Sequence, residues 1–187
     1  FSFGPNLSAG RNFVDVDSLK AVEIVRGPAS SLYGSNAIGG LVTFVTKDPS
    51  DYLSEDHQDY KSLRLGFDSV DDSFDTSFTY AFGNEKWQTM ILATYRNGNE
   101  YETYFDDDSV GSARKSANPI NNTDKNILAK LVLTPNQYHQ IKLTAELFDS
   151  DTDTNALSQS GSVVFGTLKQ TVTAEDSRNR NRLAIEY

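Results

Sequence analysis

Asp149, Asp151 and Asp153 alternate along the chain at a spacing in which carboxylates can hold a divalent cation. An EF-hand loop that began there would need glycine at its sixth position and glutamate at its twelfth. Those places hold Thr154 and Ser160, so that site is excluded. Asp106, Asp107 and Asp108 form a second acidic run, which reads as solvated loop, and no metal centre is assigned. The stretch GSNAIGG, 34–40, has the glycine content of a phosphate cradle but lacks the Lys-Ser/Thr of a P-loop and precedes a strand. His57 and His139 are the only histidines, and no serine or carboxylate set is spaced with them as a catalytic triad. With no cysteine there is no thiolate nucleophile, thiolate metal site or disulfide framework. The chain is therefore not read as an enzyme.

Two patterns suit binding instead. In a strand Arg178, Arg180 and Arg182 share one face, and Glu186 follows on the same face. That favours a hydrated, salt-bridged wall, with Arg182 and Glu186 as candidate lumen residues. Tyr101, Tyr104 and Phe105 lie in a polar loop, where they either grip a flat ligand or pack the loop itself. The formal charge of -9 argues against nucleic acid as a partner, because phosphate binding needs a basic face.

The elements that must carry these residues are strands. Period-two alternation predicts them at 61–70, 73–83, 86–96, 125–134, 139–149 and 178–187. In 73–83, for example, Phe74, Phe78, Tyr80 and Phe82 oppose Asp75, Ser77, Thr79 and Ala81. The connections 83–85 and 135–138 are tight, whereas 97–124 and 150–177 are long, polar and acidic; only 71–73 is short where the scheme expects length. Short turns at one end and long loops at the other characterise outer-membrane barrels. Phe82, Trp87 and Tyr138 flank the tight turns as an interfacial aromatic girdle would. No run of 18 apolar residues exists, which excludes a transmembrane helix but not a barrel. A soluble β-sandwich with one buried face fits the same pattern. Six strands do not close a channel, and the sequence starts at Phe1 without methionine, so it reads as a piece of a longer protein.

Residues 1–52 differ. NFVDV and AVEIVR read as short strands, Pro28 suits the start of a brief helix PASSLY, and Gly34 its end. Gly39 and Gly40 precede the strand LVTFVTK, and the acidic stretch 48–59 reads as a linker.

The ordered stretch VEIVRGPASSLYGSNAIGGLVTFVTK closely resembles the end of the plug domain of TonB-dependent outer-membrane receptors. The resemblance implies an all-β membrane barrel of about 22 antiparallel strands whose lumen is closed by an α+β plug. Residues 1–52 would be the C-terminal part of the plug, 53–60 a linker, and 61–187 the first barrel strands. Glu23, Arg26, Gly27, Pro28, Tyr33, Gly34, Gly39 and Gly40 would be plug-motif positions with structural and gating roles, Arg26 projecting towards acidic residues of the wall. The stretches RNFVDVDSLKAVEIVRGPASSLYGSNAIGG, TKDPSDYL and NILAKLVLTPNQYHQIKLTAELFDSDTDT are most similar to the haem and haemoglobin receptors within that family. This implies haem or a ferric chelate as transported ligand, with no covalently bound cofactor, in the bacterial outer membrane. It also implies the TonB energy-transducing complex as a partner, reached through a segment upstream of Phe1. Neither His57 nor His139 stands where that subgroup places its axial histidines. A ferric-siderophore receptor of the same family, or a soluble β-rich binding or adhesion module, remains the alternative.

Overall fold

The computed structural model describes residues 14–27, 40–104, 107–164, 167–169 and 171–187. A short 3-10 turn, Val16–Ser18, leads into β1 (Leu19–Arg26), which pairs antiparallel with β2 (Gly40–Thr46). A second 3-10 turn, Pro49–Asp51, connects this hairpin to β3 (Asp59–Asp68). There follow β4 (Ser73–Gly83), β5 (Trp87–Asn99), β6 (Ile120–Asn136), β7 (His139–Asn155), a small hairpin of β8 (Ser162–Val164) and β9 (Thr167–Lys169), and finally β10 (Thr173–Glu186). Strands β3, β4, β5, β6, β7 and β10 form one antiparallel meander in chain order, and β8–β9 is an insertion in its last connection.

Each predicted strand of the meander exists, and most run further than alternation indicates. β6 begins five residues before the predicted 125, and β7 ends six residues after the predicted 149. Apart from Ile120, those extensions are polar on both faces, so hydrophobic periodicity carries no signal there. Backbone pairing continues regardless, helped by side-chain bonds from Thr152 Oγ1 to Asn122 Oδ1 (2.7 Å) and from Asn97 Nδ2 to Thr123 Oγ1 (3.0 Å). One expectation fails at the start of the chain. NFVDV is not a strand in its described part, because Asp15 caps a 3-10 turn there, accepting from Ser18 N at 2.9 Å. The predicted helix at 28–33 lies outside the described residues.

The turns follow from their asparagines. Asn84 Oδ1 accepts from the amides of Lys86 and Trp87, closing the β4–β5 turn, and Asn136 Oδ1 accepts from Tyr138 N in the β6–β7 turn. Both tight turns sit at one end of the sheet. The connections 69–72, 100–119 and 156–172 sit at the other.

The two faces of the meander are inverted relative to a water-soluble sheet. Register places Ile91, Ala129, Ala145 and Leu183 in one cross-strand row, with Trp87, Leu133 and Ile141 in another on the same face. This face is open: Ile127 is 47% exposed, whereas its neighbour Leu128, on the opposite face, is 0% exposed. The covered face carries Ser77, Thr79, Asn126, Lys130, Thr144 and Glu146, all buried. A soluble sandwich packs its apolar rows together and shows its polar rows to water. Here the N-terminal segment lies against the polar rows, and among the described residues nothing covers the apolar ones. Such a face is stable against lipid and prone to aggregation in water. Phe82 and Trp87 meet edge to face beside the tight turn, with centroids 5.6 Å apart, on the open face.

A charge placed mid-band on the open face is therefore costly. In the full-length protein reconstituted in vesicles, Ala129→Arg is expected to lower unfolding free energy by about 2–4 kcal/mol, and Ser62→Arg on the inner face by less than about 1 kcal/mol. Urea unfolding followed by tryptophan fluorescence measures both. Equal costs would contradict the assignment of the faces.

Candidate functional site

The N-terminal segment meets the sheet through charges. Lys130 on β6 is 5% exposed, and an isolated ammonium at that depth is strongly unfavourable. Its Nζ donates to Asp48 Oδ1 at 2.8 Å and to the carbonyl of Thr46 at 3.3 Å. Lys142, its neighbour on the inner face of β7, donates to Asp48 Oδ2 at 2.8 Å. One carboxylate thus joins two wall strands. The Pro49–Asp51 turn aims it: Asp48 N donates to Asp51 Oδ2 at 2.7 Å, Asp51 pairs with Lys20, and Pro49 is fully buried. Immediately after, Tyr52 and Leu53 pack on the cluster of Ala81, Met90, Leu92 and Leu128. The acidic stretch that reads as a linker is, in its first half, a docked element.

Two more contacts extend the junction. Asp17 pairs with Arg64 on β3, and Thr94 Oγ1 on β5 donates to Asp15 Oδ2 at 2.6 Å. Burial pushes the Asp15 carboxyl above its ordinary value, and the bond from Thr94 offsets this only in part. For Asp48 burial also opposes ionisation, but Lys130 and Lys142 outweigh it and hold the carboxyl below its ordinary range.

The plug-motif positions that fall in the described residues are Glu23, Arg26, Gly27 and Gly40. Glu23 pairs in register with Thr43 and is exposed; Arg26 is exposed and has no carboxylate partner among the described residues. Gly27 has φ 97°, and Gly40 has φ 136°, where a Cβ would come within 2.5 Å of the carbonyl oxygen of Val25, so both positions require glycine. Pro28, Tyr33, Gly34 and Gly39 lie outside the described residues, as do Phe105 and Asp106.

On the inner face of β10, Arg182 stands opposite Glu146 and Glu186 opposite Lys142, both exposed at the sheet edge. Arg180 donates to Glu146 Oε1 at 2.7 Å and lies over the Phe148 ring. Asp149, Asp151 and Asp153 project from the open face of β7 beyond the apolar band. His57 closes a small turn with Ser54, and His139 stacks on Tyr187.

At the long-loop end an open cavity of about 910 Å³ is bordered by Asp72, Glu100, Glu102, Asp108, Asp153 and Glu175. Tyr101 also lines it and is 65% exposed. Tyr104, expected to share such a role, is outside the lining and 97% exposed. Arg114, the one arginine among the described residues lining the cavity, is bound within the loop: it pairs with Asp108 at 3.2 Å and donates to the carbonyls of Asp108 and Ala117. Sequence reasoning misses both this cavity and the Asp48 junction. The signal for the latter is Lys130, a charge alternating with Leu128 and Val132 on an otherwise apolar stretch.

A folded segment held by ion pairs to the polar face of an antiparallel sheet whose other face is apolar is consistent with a piece of a plugged membrane barrel. Residues 2–41 match the TonB-dependent Receptor Plug Domain family. The chain is 32% identical to Hemoglobin-binding protein A of Haemophilus influenzae over 149 residues, covering 77% of this chain and 14% of that protein. It is also 32% identical to the Probable hemoglobin and hemoglobin-haptoglobin-binding protein 1 and to the Hemoglobin and hemoglobin-haptoglobin-binding protein C of that species, each covering 83% of this chain and 15% of the relative. The chain belongs to the TonB-dependent receptors and spans about 15% of the length of these relatives.

The two carboxyls predict opposite pH effects. A carboxyl held low contributes stability above its ordinary value of 3.8 that is lost as pH falls through the lowered value. A carboxyl held high, as Asp15 is, costs stability while ionised, and protonation on mild acidification removes that cost. Plug attachment in the full-length receptor is therefore expected to strengthen slightly on acidification from neutral pH and to weaken below about pH 4. Asp48→Asn removes the acid-side loss and costs about 2 kcal/mol at neutral pH by leaving Lys130 unpaired, part of which Lys130→Met in the same background recovers. Calorimetry of plug unfolding across pH tests this. An acid-side loss unchanged in Asp48→Asn would disprove the assignment.

Proposed function

We propose that this chain is part of an outer-membrane receptor that captures a haem-protein, haemoglobin above all, and imports its haem iron with energy from the TonB system. The observation that carries the reading is the similarity to haemoglobin-binding receptors, which extends through the plug end and on into the barrel strands. In this reading 1–52 is the C-terminal part of the plug, 53–60 the connection, and 61–187 the first strands of a barrel of about 22. The long-loop end faces the exterior, and the loop 100–119 with Tyr101, Tyr104 and Phe105 is a ligand-contact element. The tight turns face the periplasm, where the TonB complex engages a segment on the N-terminal side of the plug.

The mechanism is transport without covalent chemistry. Ligand and energising partner must favour different plug states, otherwise capture and release are not coupled. The Asp48 junction suits this role because its charges regain hydration when the segment leaves the wall, whereas they hold it firmly while it is seated. Haem or the ferric chelate is cargo, and the chain carries no resident cofactor in this reading. Arg182 and Glu186 contribute to a charged lumen wall, and the net charge of -9 leaves no nucleic-acid role.

A strain lacking its own haem receptors and carrying the full-length gene is expected to grow on haemoglobin as sole iron source, and to stop growing when TonB is deleted. Growth on a ferric siderophore but not on haemoglobin would assign the receptor to the other substrate class. TonB-independent growth would remove the transport reading.

A further inference from the structure

We propose that Arg64 is a hand-over residue: it holds Asp17 of the N-terminal segment while that segment is seated, and passes to Asp75 of its own wall when the segment moves away. That the displaced state serves import rests on the function proposed above; the exchange of partners does not.

Three observations carry it. Arg64 on β3 pairs with Asp17, and the same guanidinium nitrogen lies 3.8 Å from Asp75 Oδ2 on β4. Two carboxylates, one from each side of the junction, therefore compete for one cation. Second, Asp75 is otherwise uncommitted. Its direct partner across the β4–β5 ladder is Arg96, but Arg96 donates to Asp71 and to Ser73, each at 2.9 Å. Among the described residues this leaves Asp75 with the loose contact to Arg64 alone. Third, Gly66 makes room for it. Gly66 faces Asp75 in register and has no positive φ that would demand glycine, yet a Cβ there would lie 2.3 Å from Asp75 Oδ1. Glycine weakens a strand, so its use inside one marks the close approach of another group. Here that group is the Asp75 carboxylate, laid across β3 within reach of Arg64.

Lys130 differs from Arg64 in this respect. The oxygens it holds, on Asp48 and Thr46, belong to the N-terminal segment, and Glu146, diagonal to it on β7, is taken by Arg180 at 2.7 Å. Displacement strands Lys130 but not Arg64. Asp15, the other carboxylate close to Arg64, is part of the departing segment and leaves with Asp17. A guanidinium that has a carboxylate at hand in both states lowers the cost of displacement, because no charge is left uncompensated. Asp75 thereby shifts the balance between the seated and displaced states towards displacement.

The test is hydrogen exchange followed by mass spectrometry on the full-length receptor in detergent, read at peptides covering 14–20, with peptides from β4 and β5 as a check that the wall is intact. Asp75→Asn removes the waiting partner, so exchange at 14–20 is expected to slow about threefold. Asp17→Asn removes the seated pair and is expected to speed it by about the same factor. With Asp17 gone, Arg64 has Asp75 in both states, so adding Asp75→Asn to Asp17→Asn is expected to change nothing further. Gly66→Ala pushes the carboxylate off β3 without altering any charge and is expected to slow exchange as Asp75→Asn does, which keeps the test decisive where that variant does not fold. A purely structural Asp75 predicts the opposite: faster exchange on its removal, with or without Asp17. Exchange that is unchanged or faster in the folded variants, or slowed equally with Asp17 present and absent, overturns the proposal. Uptake of haemoglobin iron by cells carrying the same variants is expected to slow in Asp75→Asn. Unchanged uptake beside slowed exchange would overturn the use of the hand-over in import and leave the exchange of partners standing. Wild type that takes up no haemoglobin iron, with the exchange pattern as expected, would overturn the receptor reading alone.

Discussion

A buried ammonium needs a counter-charge, and the arrangement of this chain depends on where Lys130 finds one. β6 alternates so that Leu128, Lys130 and Val132 share the covered face, and no carboxylate of the neighbouring strands stands opposite: Lys130 faces Met90 on one side and Thr144 on the other. The partner comes from outside the sheet, from Asp48. Because that carboxylate also takes Lys142, it fixes the N-terminal segment over β6 and β7 together. Removing one charge of such a set costs more than the set contributes, since the remaining charges stay desolvated. The pairing therefore specifies position more than it adds stability.

That constraint explains why the faces are inverted. A wall that must hold a charged segment has to be polar inside, and Glu146 with Arg180, Thr94 with Asp15, and Arg64 with Asp17 continue the pattern. Apolar residues are then left for the outer rows, which is the arrangement a lipid solvent requires, along with a fully paired backbone. The meander meets this for β4, β5, β6 and β7, which are paired on both sides, whereas β3 and β10 are each paired on one side among the described residues. Beyond the apolar band the strands continue with mainly polar residues on both faces, carrying Asp149, Asp151 and Asp153 past the band and placing the rim cavity at the long-loop end.

How much of this is legible in the sequence depends on which force holds each part. Phe74, Phe78 and Tyr80 announce β4 because burial against lipid and burial against protein impose the same alternation, and for the same reason alternation alone does not choose between barrel and sandwich. The ends of β6 and β7 are invisible to it, because Asn121, Asn122 and Thr123 are polar on both sides and pair through the backbone. Asp48 reads as linker because acidic residues around a proline ordinarily are. Its role depends on Lys130 and Lys142, more than eighty residues away in the chain, and only the register of β6 on β7 brings those two together. The cavity is hidden for a similar reason: Asp153 and Glu175 are neighbours through the β7–β10 ladder and not through the sequence.

The junction also has an order of strength. The contacts of Asp15 and Asp17 with the wall are polar, and water replaces them at modest cost once it enters. Tyr52 and Leu53 are different, because they bury apolar surface against Met90, Leu92 and Leu128, and exposing that surface costs roughly 25 cal/mol for each Å². Asp48 lies between the two kinds of contact. A displacement that starts in the β1–β2 hairpin therefore meets a graded resistance, weak at Asp15 and Asp17, stronger at the double lysine pair, and strongest where the chain crosses to β3. The connection thus carries the strongest contact of the junction, and the motif glycines Gly27 and Gly40 lie in the hairpin on its more weakly held side.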